Sequence, residues 1–180
     1  MTKTIRFGAA GIAMFAAIGM GSAAHAQSAT ADATAEILDA LTLTADNELD
    51  FGTMVVSGAG TVTLDESDAS RSCSANIVCA GTGAAAGFTV EGTGGNVVDV
   101  SLPTASVNLV HVDNAGSTAA AHNIVLDGFT STADTGTGAE VTLDAGTGEA
   151  TFDVGGTITL DGSEIAGVYE GTFDVSVAYQ

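Results

Sequence analysis

The last fourteen residues, 167–180, alternate between apolar and polar side chains and constrain the fold more than any other stretch. Successive side chains of a β-strand point to opposite faces, so this alternation predicts one strand with a buried face. The apolar row consists of Tyr169, Phe173, Val175, Val177 and Tyr179. Gly171 interrupts the row, which predicts a bulge or a close approach of another backbone segment. Such a strand requires neighbouring strands and a core to cover.

The rest of the chain repeats this pattern in shorter segments that end at glycine-rich or acidic turns. Alternating or β-branched runs predict strands at 35–45, 49–56, 61–64, 88–91, 97–102, 107–112, 123–129, 140–143, 150–154 and 157–161. Residues 92–96 indicate a hairpin connection, and Gly155-Gly156 indicates a turn. A helix over 33–41 is the alternative for the first segment, although the alternation continues to residue 44. About ten short strands without a long helix are typical of an all-β antiparallel sandwich or barrel.

The first 26 residues have the composition of an export signal. Lys3 and Arg6 precede a small-residue apolar stretch, 7–20, and Ala24-His25-Ala26 has the A-x-A form of a cleavage site. We expect cleavage before Gln27, which leaves enough chain for one domain. The apolar stretch is too short to cross a bilayer well, and no second one follows. The sequence therefore predicts an exported protein without a transmembrane segment.

The chain after residue 26 is strongly acidic. Arg71 is its only Lys or Arg, and against 22 acidic residues it leaves a net charge of −21 with the histidines neutral. A surface this negative excludes binding of nucleic acid or of an anionic membrane by charge. It favours solubility and repulsion between copies. Calcium binding by the acidic loops is the alternative interpretation.

Two cysteines, Cys73 and Cys79, are separated by five residues. In an oxidising exported setting two cysteines usually pair, so we expect a disulfide that fixes a loop or hairpin. A ring this small removes little freedom from the unfolded chain, which predicts a stabilisation at the low end of the usual range. A metal site is the alternative, but no cluster of suitable ligands lies nearby in the sequence.

No combination of residues in the sequence predicts catalysis or a cofactor. His111 and His122 are expected to be polar residues of loops or strand ends, and no G-x-S-x-G follows residue 26. The glycines of 81–87 miss the dinucleotide-binding spacing. The acidic stretches 65–68 and 161–164 contain oxygen ligands without the twelve-position calcium-loop pattern. We therefore predict no enzyme activity.

Two parts of the chain resemble subunits of chaperone–usher fimbriae: the C-terminal strand, and the segment just after the predicted cleavage site, whose alternating row resembles a donor strand. Tyr179 is penultimate and Gly167 is fourteenth from the end, as in the C-terminal strand of pilin subunits. The Leu49-Asp50-Phe51-Gly52 element resembles the L-x-F-G strand of archaic pilins of the spore-coat-U type.

Over roughly 35–180 the chain is more similar still to a family of small exported bacterial proteins catalogued as a domain of unknown function. That family has the same L-x-F-G start, a Gly-Gly-Thr strand and a G-x-Y-x-G-x-F/Y ending. These correspond here to Gly155-Gly156-Thr157 and to Gly167, Tyr169, Gly171 and Phe173.

The pilin resemblance implies an immunoglobulin-like sandwich that lacks its last strand. A periplasmic chaperone fills the gap first, and the N-terminal extension of the next subunit then replaces it. On this hypothesis residues 27–45 are an N-terminal extension that donates a strand, and 46–180 form the sandwich domain of about eight to ten strands. The donor side chains would be Ala35, Ile37, Leu41 and Leu43, with Asp39 interrupting their row. The acceptor groove would be lined by Gly167, Tyr169, Phe173, Val175, Val177 and Tyr179.

Two functions are therefore expected from the sequence. The first is a structural subunit of a fimbria, with identical or related subunits head-to-tail, a periplasmic chaperone and an outer-membrane usher as partners. The protein would pass through the periplasm to the cell surface or the extracellular medium. The alternative is a self-sufficient surface β-sandwich that binds carbohydrate or mediates Ca²⁺-dependent adhesion. Sugar-binding platforms use exposed aromatic rings, and this chain has no Trp and two Tyr.

Overall fold

The computed structural model of the chain describes residues 27–134 and 138–180. The predicted export signal, 1–26, lies outside the described residues. The chain divides into two units between Glu36 and Ile37, and the β-structure lies in the second. Residues 27–36 are exposed and form no regular element. The described part of the chain contains no helix with the length and apolar character that membrane crossing requires.

The regular elements of the second unit are almost all β-strands, most of them short. Within the described residues these are β1 (Thr42–Ala45), β2 (Thr53–Val56), β3 (Gly60–Leu64), β4 (Arg71–Cys73), β5 (Ile77–Ala80), β6 (Ala86–Glu91), β7 (Val97–Ser101), β8 (Val107–His111), β9 (Asn123–Ser131), β10 (Glu140–Thr142), β11 (Glu149–Leu160), β12 (Tyr169–Glu170) and β13 (Ser176–Tyr179). Two 3₁₀ helices, Val112–Asn114 and Ala120–His122, lie between β8 and β9.

The strands form one large antiparallel sheet and two small ones. The large sheet has the order β1-β6-β11-β9-β8-β12, with β3 paired to β11 and β4 paired to β3. The small sheets are β10-β7-β13 and β2-β5. This arrangement confirms the predicted all-β, antiparallel, sandwich-like fold.

The core consists of two clusters, one between the large sheet and each small sheet. The first cluster joins β6 and the first half of β11 to β7 and β10; its buried members include Phe88, Val90, Val98, Leu143 and Phe152. The second joins β3, β9 and the second half of β11 to β5; its buried members include Val62, Leu64, Ile77, Leu126 and Ile158. Leu49, Phe129 and Phe173 pack against both clusters.

The long strand β11 corrects the predicted turn at Gly155-Gly156. The chain continues as one strand of 12 residues, with a register shift relative to β9 between Gly155 and Thr157. On its other edge β11 pairs with β6 up to Val154 and with β3 from Gly156 onward. The glycine pair therefore marks the point where β11 changes partner. A side chain on Gly155 would collide with the backbone of Leu64 and Glu66.

The connection 92–96 does not form the predicted hairpin. It joins β6, in the large sheet, to β7, in the three-stranded sheet, so it carries the chain from one layer to the other. Alternation predicts that a segment is a strand, and it does not specify which sheet the strand joins.

The C-terminal segment is likewise not one continuous strand. Its first part, β12, pairs with β8 of the large sheet, and its last part, β13, pairs with β7 of the three-stranded sheet. Between them the chain crosses the layers and packs Phe173 against both cores. The close approach predicted at Gly171 is confirmed, because a Cβ atom there would lie 2.7 Å from the Asn108 carbonyl oxygen.

Candidate functional site

A groove of about 1400 Å³ lies over the second core, between β2 and the segment before and after β12, and we call it the apolar groove after its apolar floor. Its floor is formed by the large sheet through Leu109, Ile124, Leu126, Ile158 and Leu160. One wall is residues 45–56, which we call the β2 wall, and the other is residues 164–173, which we call the C-terminal wall. The groove therefore lies between β2 and the residues around β12, over a floor that the large sheet forms.

Both walls present strand edges that lack a partner strand within the described part of the chain. β2 pairs with β5 on one side and has no second neighbour there. β12, in the C-terminal wall, is the last strand of the large sheet and pairs only with β8 there. Unpaired edges beside an apolar floor are the geometry that accepts an additional strand, because backbone hydrogen bonds and alternate side chains can both be satisfied there.

The middle of the β2 wall is the Leu49-Asp50-Phe51-Gly52 element, which directly precedes β2. Phe51 is buried, and the Asp50 backbone pairs with Ala84. Gly52 has a φ of +66°, a left-handed conformation that side chains disfavour, and the Asp50 carboxylate accepts its N–H at 2.7 Å. Arg71, on β4, donates from Nη1 to the Phe51 carbonyl oxygen at 2.6 Å.

The C-terminal wall is attached to the loop that follows β8. The Tyr169 hydroxyl lies 2.8 Å from the carbonyl oxygens of both Ala121 and Ile165, to which it donates. The Tyr169 ring packs edge-on against His111, with ring centroids 5.1 Å apart. Burial, and then the negative charge of Glu164, raise the pKa of the Tyr169 phenol above its usual value.

His111 is buried and faces Gly167 directly. Its Nδ1 accepts the Asp113 N–H at 3.2 Å, so Nε2 carries the proton and faces the Ala166 carbonyl oxygen at 3.3 Å. A Cβ atom on Gly167 would overlap the His111 imidazole. The glycine that the sequence singles out is therefore explained by the contact between this wall and β8.

The predicted donor side chains lie in two different environments. Ala35 is exposed, and Ile37 is 94% exposed. Leu41 and Leu43 pack against the first core, and Leu43 pairs with Val90 through β1 and β6.

The docked part of the N-terminal segment begins at Asp39. The Asp39 N–H donates to Thr93 Oγ1 at 2.7 Å, and its carbonyl oxygen accepts from the Tyr179 hydroxyl at 2.9 Å. The predicted boundary at residue 45 therefore falls at the end of a strand of this domain, whereas the second unit begins at Ile37.

The predicted acceptor row is divided between the two cores. Gly167, Tyr169 and Phe173 line the apolar groove. Val175, Val177 and Tyr179 pack against the first core instead, away from the residues that line the groove. The sequence therefore identifies one wall of the groove but not the β2 wall or the floor.

Arg71 and His111 are the wall-supporting residues that the sequence did not single out as site residues. Arg71 is the only Lys or Arg after residue 26, and this is a signal in the sequence that could identify it. His111 lies in a short apolar strand and had no comparable signal.

The predicted disulfide is confirmed between Cys73 and Cys79. It joins β4, which pairs with β3 in the large sheet, to β5, which pairs with β2. The bridge therefore connects the β2 wall covalently to the opposite layer.

The acidic loops form turns stabilised by hydrogen bonds to carboxylates. Hydrogen bonds from Ser67 to Asp65, from Thr147 and Gly146 to Asp144, and from Ser163 to Asp161 lower the pKa values of these carboxyls. Among the described residues, no group of three or more His, Cys, Asp or Glu side chains is placed to hold a metal ion.

The fold and groove define a class of protein: a disulfide-containing, sandwich-like antiparallel β-protein with a groove over one of its two cores. Comparison of the sequence with known families places it further. The chain belongs to the family described as a domain of unknown function (DUF4402), which matches residues 41–179. No curated protein matches the sequence.

Proposed function

We propose that this protein is a structural subunit of an exported surface fibre, assembled by strand donation between copies. The apolar groove is the acceptor, and segment 27–38 of the next copy, which is exposed from residue 27 to residue 37, is the donor. The observation that carries the proposal is the position of the groove between β2 and β12, two strands that each lack a partner on one side within the described residues. A strand inserted there would pair with either of these edges and cover the apolar floor.

The donor segment has the pattern that such a groove requires. From Ala29 to Ile37 every second residue is apolar, and the intervening residues are Thr30, Asp32, Thr34 and Glu36. In an extended strand the apolar row would face the groove floor and the polar row would face solvent. Leu41 and Leu43 pack in their own domain, so the donor row ends at Ile37.

The contact is heterologous, since the donor of one copy occupies the groove of another. A contact of this type builds an open fibre rather than a closed ring. A periplasmic chaperone that adds a strand to the same groove would keep each subunit folded before assembly, and an outer-membrane usher would release it to the surface. These partners follow from the pilin resemblance.

The binding-module alternative has less support. Tyr169 and Tyr179 are both partly buried, and their hydroxyls are bonded to backbone groups of the domain. Neither ring is therefore available as an exposed platform for a sugar.

The proposal is tested by substitutions in the donor segment of the full chain, expressed with residues 1–26 in place. Ala35→Asp places a charge in the apolar row, whereas the matched control Thr34→Asp places the same charge in the polar row. We expect fibres and SDS-resistant ladders from the native chain and from T34D, and their loss in A35D. Equal assembly by both variants, or a monomeric native chain with and without its chaperone, would refute strand donation.

A further inference from the structure

We infer that Arg71 is the positioning residue of the apolar groove: its guanidinium holds the β2 wall in place beside the groove that an incoming strand would enter. The inference rests on the proposed function for the identity of the ligand. The placement of the wall by Arg71 can be measured independently of that function.

The guanidinium connects three backbone segments of different elements. Nη1 donates to the Phe51 carbonyl oxygen, in the β2 wall just before β2. Nη2 donates to the carbonyl oxygens of Ala80 and Gly81, at the end of β5. Arg71 itself belongs to β4, whose partner β3 lies in the large sheet. One side chain therefore connects the sheet that forms the floor to both strands of the two-stranded sheet.

The geometry requires arginine at this position. Three carbonyl oxygens on two segments must be reached at once, and the planar fork of a guanidinium presents its donors in fixed directions. A lysine ammonium has a single nitrogen and cannot occupy both ends of that fork. Hydrogen bonds from a charged donor are also stronger than those from a neutral one, which suits a contact that fixes a sheet edge.

Gly52 provides the space that the guanidinium occupies. A Cβ atom at Gly52 would lie 2.7 Å from Arg71 Nη1 and 2.6 Å from the Thr82 carbonyl oxygen. Two features therefore require glycine at position 52 of the L-x-F-G element: its positive φ, and the space that the Arg71 guanidinium occupies. Phe51 supplies the acceptor carbonyl of the same contact, so two residues of this element have a role in positioning the wall.

Hydrogen–deuterium exchange and peptide binding on the same variants test the inference. The variants are Arg71→Gln, Arg71→Lys and Gly52→Ala in the full chain. The control is Gly95→Ala, where φ is +81° and a side chain would meet nothing within 4 Å. The probe is a labelled synthetic peptide copying residues 27–38, added to dilute protein. The control variant carries comparable backbone strain without touching Arg71.

We expect amide exchange in residues 50–56 to rise about tenfold or more in R71Q and G52A, with R71K intermediate. Peptide affinity should fall by roughly tenfold in the same order. G95A should leave both measurements at the native values. A purely structural role would instead change affinity in proportion to global stability, in G95A as in R71Q.

Native exchange in residues 50–56 of R71Q would overturn the inference, as would native peptide affinity in a variant whose exchange has risen. If the native chain binds no peptide while exchange rises in R71Q, the proposed function fails and the placement of the wall by Arg71 stands. If R71Q does not fold, the same two measurements on G52A, which retains Arg71, and on R71K, which retains the positive charge, decide the inference.

Discussion

At the scale of single residues, the contact between Gly167 and His111 explains the glycine fourteenth from the C-terminus. We predict that Gly167→Ala destabilises the domain by about 1–3 kcal/mol, because the added methyl group must displace a buried imidazole. Urea unfolding measures the change. Gly116→Ala, at a φ of +82° with open space around it, is the matched control. His111→Ala in the same chain should relieve much of the G167A penalty, and an unrelieved penalty would contradict this explanation.

The Tyr169 hydroxyl should make the stability of the domain depend on alkaline pH. Burial and Glu164 raise the pKa of Tyr169 in the folded state, so the neutral phenol is favoured there. The stability that the folded state gains from the neutral phenol is fully present below the pKa of tyrosine in the unfolded chain, about 10. It is lost as the pH rises through the pKa of Tyr169 in the folded state.

We predict that Tyr169→Phe lowers the free energy of unfolding by about 1 kcal/mol at neutral pH and reduces its further loss at alkaline pH. Urea unfolding of both chains at pH 8 and above pH 10 checks this, within roughly the range where tyrosine titrates. Tyr179→Phe, which retains Tyr169, should keep the alkaline loss. The same alkaline loss in Y169F as in the native chain would show that another group causes it.

At the scale of elements, the disulfide connects β4 to β5 and thereby joins two sheets. We predict that Cys73→Ser with Cys79→Ser lowers the free energy of unfolding by about 2 kcal/mol, since the ring is short and its closure entropy is small. Urea unfolding of the double variant against the oxidised native chain measures this. A loss above about 4 kcal/mol would mean that the bridge does more than constrain the unfolded chain.

Sequence alternation predicted most strands but not how they pair. The segments that became β3, β6, β7, β8, β9 and β10 were identified because each has a local period of two. A Gly-Gly pair ordinarily breaks a strand, so the sequence predicts two strands where the structure has β11 alone. In the structure the pair lies where β11 exchanges β6 for β3 as its partner. The C-terminal segment was predicted as one strand because its alternation is continuous, although its two halves pair with different sheets. Partner choice depends on contacts distant in sequence, and no local period contains them.

At the scale of the whole molecule, charge opposes the proposed assembly. The groove rim carries Glu48, Asp50, Glu164 and Glu170, and the donor segment carries Asp32 and Glu36. Copies with a net charge of −21 after residue 26 also repel each other at a distance. An apolar contact must therefore drive assembly against electrostatic repulsion.

We predict that the association rate rises with salt, from about 50 mM to 500 mM NaCl, because screening shortens the range of this repulsion. Light scattering measures the rate. Glu48→Gln with Glu170→Gln should raise the association rate at low salt and reduce the salt dependence of that rate. The control is Glu149→Gln, an exposed residue at the start of β11 that does not line the groove, and it should change the rate little. A rate that falls with salt would indicate an attractive charge contact and contradict the apolar groove.

The sequence predicted part of the candidate site. Tyr169, Phe173 and Gly167 were identified from the C-terminal pattern, and they line one wall of the groove. The sequence does not identify the β2 wall and the floor as parts of the same site, because their residues come from segments far apart in the chain. The predicted donor row includes Leu41 and Leu43 because they continue the alternation of Ala35 and Ile37. In the structure these two leucines pack against the first core of their own domain.

Cysteine cross-linking tests strand donation most directly. One set of full chains carries a single added cysteine at successive donor positions from Ala31 to Glu36, and the partner chain carries Met54→Cys on the β2 wall. Because each chain has one added cysteine, a disulfide between the two variants must join different molecules. Thr151→Cys, on the outer face of the large sheet, replaces M54C as the control.

We predict that two-chain species form at Ala31, Ala33 and Ala35 and are weak at Asp32, Thr34 and Glu36, as a strand with one face in the groove requires. T151C should give no such alternation. Equal yields along the segment, or no cross-link to M54C at any position, would contradict strand donation into the groove.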